Sequence, residues 1–308
     1  MIFFVNINIE AEPNSSINDN NYISNQPKRE EDDFNFTPVN DELVYKIINS
    51  LQISKACGLD GIGAKPLKMS IQSIVPFITK FINQSFSQGI YPDEWKCAKV
   101  LPVHKKGDTS DLNNYRPISI LPTISKVVEK IAHQQLYKYL TERFILNKAQ
   151  FGFRPGHSTT AALASMTDTW FEAIDNGQLV CAIFLDLRRA FDSVNIGILL
   201  TKLQNMGCSD KTLEWFNSYL NLRSQHVKYK QSISGGKTIS IGVPQGSILG
   251  PLLFLILIND LPNVIKSGQI TMYADDTTLF ICGTNLQDMK EKIQEDINAV
   301  NTWLKLNK

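Results

Sequence analysis

The run Leu179-Val180-Cys181-Ala182-Ile183-Phe184-Leu185 is apolar without interruption and rich in β-forming residues. That is the pattern of a strand buried on both faces, so it calls for a layer on either side. It ends at a carboxylate, Asp186. Farther on, Ile270-Thr271-Met272-Tyr273 and Thr277-Thr278-Leu279-Phe280-Ile281 read as two strands joined by a tight turn at Ala274-Asp275-Asp276. A buried strand ending in Asp and a hairpin tip carrying Asp-Asp can bring three carboxylates to the rim of one sheet. Clustered like charges are unfavourable unless cations neutralise them. Hard oxygen ligands suit Mg²⁺, and a pair of metal ions about 3.5 to 4 Å apart is a known device for in-line phosphoryl transfer. Surface loops also commonly carry Asp, and for Asp275-Asp276 alone that reading stands beside the metal one.

The remaining sequence surrounds this strand with helices. Helical spacing recurs over residues 70–88, 124–144 and 159–176, separated by Gly, Pro and Asn clusters. An earlier helix starts at Asp41, with acidic residues in its first turn. Residues 248–258 form the most apolar segment. It is about half the roughly 20 residues that span a bilayer and contains Gly250 and Pro251, which predicts a buried helix and no membrane partner. From Ile7 to about Asn40 the chain is rich in Asn, Ser, Glu and Asp, the composition of a mostly disordered leader. The opening Met1-Ile2-Phe3-Phe4-Val5 lacks a basic leader and an adequate apolar core, so no signal peptide is read.

With 308 residues, 43% of them hydrophobic, a sizeable core is available, and one large or two interleaved domains are expected. A net charge of +1 decides nothing about nucleic acid, because clustering of Lys and Arg matters more than their sum. Five cysteines with no C-x-x-C pair argue against a zinc site or disulfide framework and fit a reducing, intracellular compartment, nuclear or cytoplasmic.

Three segments, occurring in this order, resemble successive palm motifs of reverse transcriptases: Phe184-Leu185-Asp186-Leu187-Arg188-Arg189-Ala190-Phe191-Asp192; Gly242-Val243-Pro244-Gln245-Gly246-Ser247-Ile248-Leu249-Gly250-Pro251; and Tyr273-Ala274-Asp275-Asp276. Upstream, residues 100–108, 114–119 and 150–159 resemble the fingers motifs of retrotransposons without long terminal repeats. Residues 55–62 are similar to that group's N-terminal extension motif, with Cys57 where Pro is usual. The resemblance covers about residues 41–308 and is close to elements of the Jockey and CR1 kind.

The resemblance implies an α+β right-hand polymerase, with a leader over 1–40, helix-rich fingers over 41–178 and a palm sheet over 179–308. It implies RNA-directed DNA polymerisation from deoxynucleotides on an RNA template and DNA primer. Asp186, Asp275 and Asp276 become the catalytic carboxylates, holding two Mg²⁺ ions, or Mn²⁺ in substitution, with the backbone carbonyl of Leu187 as a further ligand. Phe191 takes the place of the aromatic under the incoming sugar, where a ring leaves no room for a 2′-hydroxyl; without the motif it reads as a core Phe. Gln245 and Gly246 match a nucleotide and template contact, or else a turn before the apolar helix. In the basic stretch Lys96, Lys99, Lys105, Lys106 and Arg116, Arg116 is the best candidate for the triphosphate, because a guanidinium binds phosphate oxygens in a fork; Lys99 is second. Arg154 matches a segment near the template strand, and His157 reads as a hydrogen-bonding loop residue.

The chain stops where the family continues into the primer grip and a helical thumb, so a thumbless fragment of a longer polypeptide, one with an endonuclease region, is expected. Two other readings remain open: a group II intron type reverse transcriptase, which shares Tyr-Ala-Asp-Asp, and a non-catalytic nucleic-acid-binding remnant.

Overall fold

The computed structural model describes residues 2–7, 33–187 and 190–307. In chain order these form β1 (Ile2–Ile7), α1 (Asp41–Ser50), α2 (Ala64–Met69), α3 (Ile71–Gln88), β2 (Cys97–His104), β3 (Tyr115–Ile120), α4 (Thr123–Glu142) and α5 (Thr159–Asp175). There follow β4 (Leu179–Leu185), α6 (Ile196–Asn205), α7 (Asp210–Leu220), β5 (Arg223–Tyr229), β6 (Ser232–Ile233), β7 (Lys237–Ile239), α8 (Leu249–Ile258), β8 (Gln269–Tyr273), β9 (Asp276–Gly283) and α9 (Leu286–Leu306). The mixed helix-and-sheet class is the expected one.

Two sheets organise the molecule. The first runs β1-β4-β9-β8, and the second β3-β2-β5-β6 with β7 also on β5. In the first, β4 is interior: β9 pairs with it antiparallel and β1 parallel. Its two faces are covered as its apolar run requires. On one face Ala182 and Phe280 meet Met166 and Trp170 of α5, the Trp170 and Phe280 rings standing edge-on at 5.7 Å. On the other, Ile183, Leu185, Leu279 and Ile281 join the main core with residues of α6, α8 and α9. In α8, nine of ten residues are buried, and the helix lies against α4 and α6, which accounts for an apolar segment too short for a bilayer. No helix of the described residues is long and apolar enough to cross a membrane.

Local signals fix several boundaries. Asn40 caps α1 by accepting from the Leu43 amide, and Asp41 and Glu42 follow in the first turn, where they complement the helix dipole. Ser158 likewise caps α5 through the Ala161 amide.

Of the leader expected over 1–40, residues 2–7 and 33–40 are described, while residues 1 and 8–32 lie outside the described ones. Residues 2–7 form β1. Phe34 is 6% exposed, and its backbone exchanges hydrogen bonds with Gly207 and Ser209. Phe36 stacks on Phe86 at 4.2 Å. Two side-chain amides then grip the backbone: Gln135 accepts from Thr37 N and donates to Thr37 O, and Asn83 does the same at Val39. Such a strap needs no periodicity, because its partners lie on α3, α4 and α7 rather than along itself.

Candidate active site

The three carboxylates predicted to meet are brought to one sheet rim by strand register. β4 and β9 pair Leu185 with Thr277 as their last rung, so Asp186 and Asp276 both lie one residue beyond it at the same end. The β8–β9 hairpin closes on the pair Tyr273 and Asp276. Its turn is therefore Ala274-Asp275, one residue shorter than expected, with Asp276 already the first residue of β9.

Asp275 is half-buried, and burial pushes its carboxyl above the usual carboxylate range. The charges of Asp276 and Asp186 push it further, while its own backbone amide and Arg116 pull it back. Two acidic neighbours and one guanidinium therefore act on Asp275 together. Arg116 stands exposed on β3, opposite Val103 of β2, so the second sheet leans its cation towards the acidic rim of the first. Among the described residues, no three His, Cys, Asp or Glu side chains are drawn together closely enough to ligate one ion. The donor chemistry nonetheless fits a hard divalent cation: the charges of Asp276 and Asp186 act against ionisation of Asp275, and a cation is what relieves that repulsion. Leu187, next to Asp186, is half-buried against the core; Arg188 and Arg189 lie outside the described residues.

The segment from Gly242 to Pro251 is wedged between this rim and β3. Val243 N donates to Phe191 O at 2.8 Å, and Ser119 N of β3 donates to Gln245 O at 2.8 Å. The Gln245 side chain donates to Asp192 Oδ1 at 2.9 Å. Gly246 has φ +115, and a Cβ there would fall 2.3 Å from Ser119 O, so both conformation and space require glycine. The loop ends on Glu129 of α4, whose Oε2 accepts from Ile248 N at 2.7 Å and Leu249 N at 3.3 Å. This buried carboxylate satisfies amides at the start of α8, which no side chain of its own N-cap does. Burial raises the Glu129 carboxyl pKa, opposed by Arg223 and the two amides.

Phe191 is half-buried. One face stacks on Phe254 of α8 at 4.7 Å, and its ring meets Phe153 edge-on at 6.1 Å. Its ring is thus packed between Phe254 and Phe153.

Other predicted contacts are placed differently. Lys99, expected at the triphosphate, donates to the carbonyls of Cys57 and Gly58, tying residues 57–58 to β2. Lys96 is 3% exposed and paired with Asp93 at 2.7 Å. Arg154, expected near the template strand, has its Nη1 donating to Asn147 O at 2.8 Å and Gln150 O at 3.0 Å, which staples its own loop. His157, expected to be a hydrogen-bonding loop residue, has its Nδ1 3.2 Å from Pro155 O. Lys105, Lys106 and Arg116 remain exposed. Two residues that sequence reasoning left without a role, Glu129 and Gln150, are buried against the site's loops; a carboxylate on the apolar face of α4 was the available signal for the first.

Comparison with known proteins identifies the family. Residues 103–308 match the model of the family described as reverse transcriptase (RNA-dependent DNA polymerase). The chain is 31% identical over 276 residues to the probable RNA-directed DNA polymerase from transposon BS of Drosophila melanogaster, covering 87% of this chain and 30% of that protein. It is 31% identical over 273 residues to the RNA-directed DNA polymerase from mobile element jockey of the same species, covering 85% and 29%. A putative 115 kDa protein of the type-1 retrotransposable element R1DM is 30% identical over 258 residues, covering 82% and 24%. The chain thus spans less than a third of the length of these relatives.

Proposed function

The chain belongs to the reverse transcriptase (RNA-dependent DNA polymerase) family, and from that premise we propose that it is the RNA-directed DNA polymerase region of a retrotransposable element without long terminal repeats. The observation that carries this reading is the β4–β9 register, which delivers Asp186 and Asp276 to the rim where both act on Asp275.

In the proposed arrangement residues 41–178 serve as fingers and 179–308 as palm. Asp186, Asp275 and Asp276, with the carbonyl of Leu187, would hold two Mg²⁺ or Mn²⁺ ions. Bound there, the ions would supply positive charge at the primer 3′-oxygen and the leaving pyrophosphate. The protein's own part is positioning and electrostatics, so no side-chain nucleophile is needed. Arg116 neutralises triphosphate oxygens from the β3 side. Phe191, fixed by Phe254 and Phe153, closes the space under the sugar and so selects deoxynucleotides. Gln245 and Gly246 present backbone at the incoming pair, on a loop that the missing Cβ of Gly246 lets pack against Ser119 of β3.

The test is primer extension on a primed homopolymer RNA with deoxynucleotides, with and without Mg²⁺. Extension that requires the metal is expected; no extension by the intact chain, with RNA still bound, would favour a nucleic-acid-binding role without catalysis.

A further inference from the structure

Ala274 carries a Cβ and yet has φ 57, the left-handed region that residues other than glycine seldom occupy. Asp275 and Asp276 follow it, so the conformation of this one residue sets where both carboxylates leave the hairpin. Something must hold it, and the surroundings identify Gln150. This side chain is 2% exposed. Its Oε1 accepts from Ala274 N at 2.8 Å and from Gly152 N at 2.7 Å, and its Nε2 donates to Ala274 O at 3.3 Å. Both ends of the amide therefore close on the peptide groups of a single residue, the left-handed one.

The neighbouring backbone tightens the clasp. Met272 N donates to Ala149 O and Phe151 N to Met272 O, each at 2.8 Å, so residues 149–151 run beside β8 as a parallel bridge centred on Gln150 and Met272. At Gly152 a Cβ would fall 2.2 Å from Ala274 N. The segment can approach the turn this closely because glycine stands there.

We propose that Gln150 is a positioning residue, holding Ala274 in its left-handed conformation and so aiming Asp275 and Asp276 towards Asp186. The consequence for catalysis rests on the polymerase reading above; the hold on the turn does not. A buried Gln that merely satisfied nearby amides would affect stability alone. One that holds the turn must govern the turn's local opening and be partly dispensable once Ala274 no longer resists the conformation.

The experiment uses the full chain as wild type, as Gln150→Met, which keeps length and apolar volume but cannot form these hydrogen bonds, and as Gln150→Met with Ala274→Gly, since glycine takes positive φ freely. Amide hydrogen exchange is followed at Ala274, with Leu279 in β9 as internal control, and kcat and KM are measured in primer extension. Gln150→Met should speed exchange at Ala274 about tenfold or more while leaving Leu279 within about twofold, as expected when one local clasp is lost. It should lower kcat by about tenfold with KM for primed RNA little changed, and Ala274→Gly should restore part of kcat. Unchanged relative exchange at Ala274 overturns the proposal whatever the activity. So does an unaltered kcat, or absence of rescue, in an active enzyme. An inactive wild-type chain whose Ala274 still exchanges faster in Gln150→Met would overturn the polymerase reading and leave the hold on the turn standing.

Discussion

Leu185 faces Thr277 across the last rung of β4 and β9, and that one pairing puts Asp186 beside Asp276 rather than on opposite ends of the sheet. Slipping the register by one residue would invert which side chains of β9 face the core, so the burial of Leu185 and Thr277 and the gathering of carboxylates are one constraint. The gathering is unfavourable without a cation. Because the Asp275 carboxyl titrates above its usual range when folded, its contribution to stability is present at acid pH and is lost as pH rises through that raised value.

Asp275→Asn removes this penalty. In metal-free buffer the variant should gain stability over wild type as pH rises through and above the usual carboxylate range, read as a difference in melting temperature that grows with pH. A difference independent of pH would mean that neither burial nor its acidic neighbours raise the Asp275 carboxyl on folding.

Phe254 and Phe153 fix the ring of Phe191, which on the proposed reading lies under the incoming sugar. Phe191→Val should raise ribonucleotide incorporation relative to deoxynucleotide in competition assays and cost about 1 to 2 kcal/mol of stability from lost packing. The stability loss with unchanged sugar preference would return Phe191 to the core alone.

Arg116 is exposed, and its charge reaches Asp275. Arg116→Ala should raise KM for nucleotide several-fold, with RNA affinity nearly unchanged. Loss of RNA binding at constant nucleotide KM would make it a strand contact instead.

Glu129 supplies the acceptor for two amides at the start of α8 from within the core. Glu129→Ala would strand both amides and leave Arg223 without its buried counter-charge, so denaturant unfolding should show a loss of roughly 2 to 4 kcal/mol. Glu129→Gln, which keeps an acceptor, should lose less. Equal losses would show that the amide contacts contribute nothing.

Much of this fold is legible in the sequence where a period repeats. Helical spacing over residues 70–88 and 159–176 anticipates α3 and α5 to within a residue, and the apolar run at residues 179–185 coincides with β4. The rim of carboxylates is legible for the same reason: each Asp ends a strong strand signal. What resists reading is whatever depends on a distant backbone. The strap over residues 33–40 is held by Gln135 and Asn83, and nothing in its own composition announces them. Lys99 and Arg154 belong to motifs that suggest phosphate or strand contacts, yet each is turned onto main-chain carbonyls, because a buried carbonyl must be satisfied by whatever donor reaches it. Gln150 is silent in sequence for the converse reason: its role lies in the conformation of a residue more than a hundred positions away.

On the proposed reading, the acidic rim of β4 and β9 carries out RNA-templated DNA synthesis. Single-nucleotide incorporation on a primed RNA template, measured with wild type and Asp186→Asn side by side in Mg²⁺, tests it most directly. The account predicts incorporation by wild type and a loss of at least about a hundredfold in Asp186→Asn, with RNA affinity and melting temperature preserved. Near-normal incorporation by Asp186→Asn would contradict it.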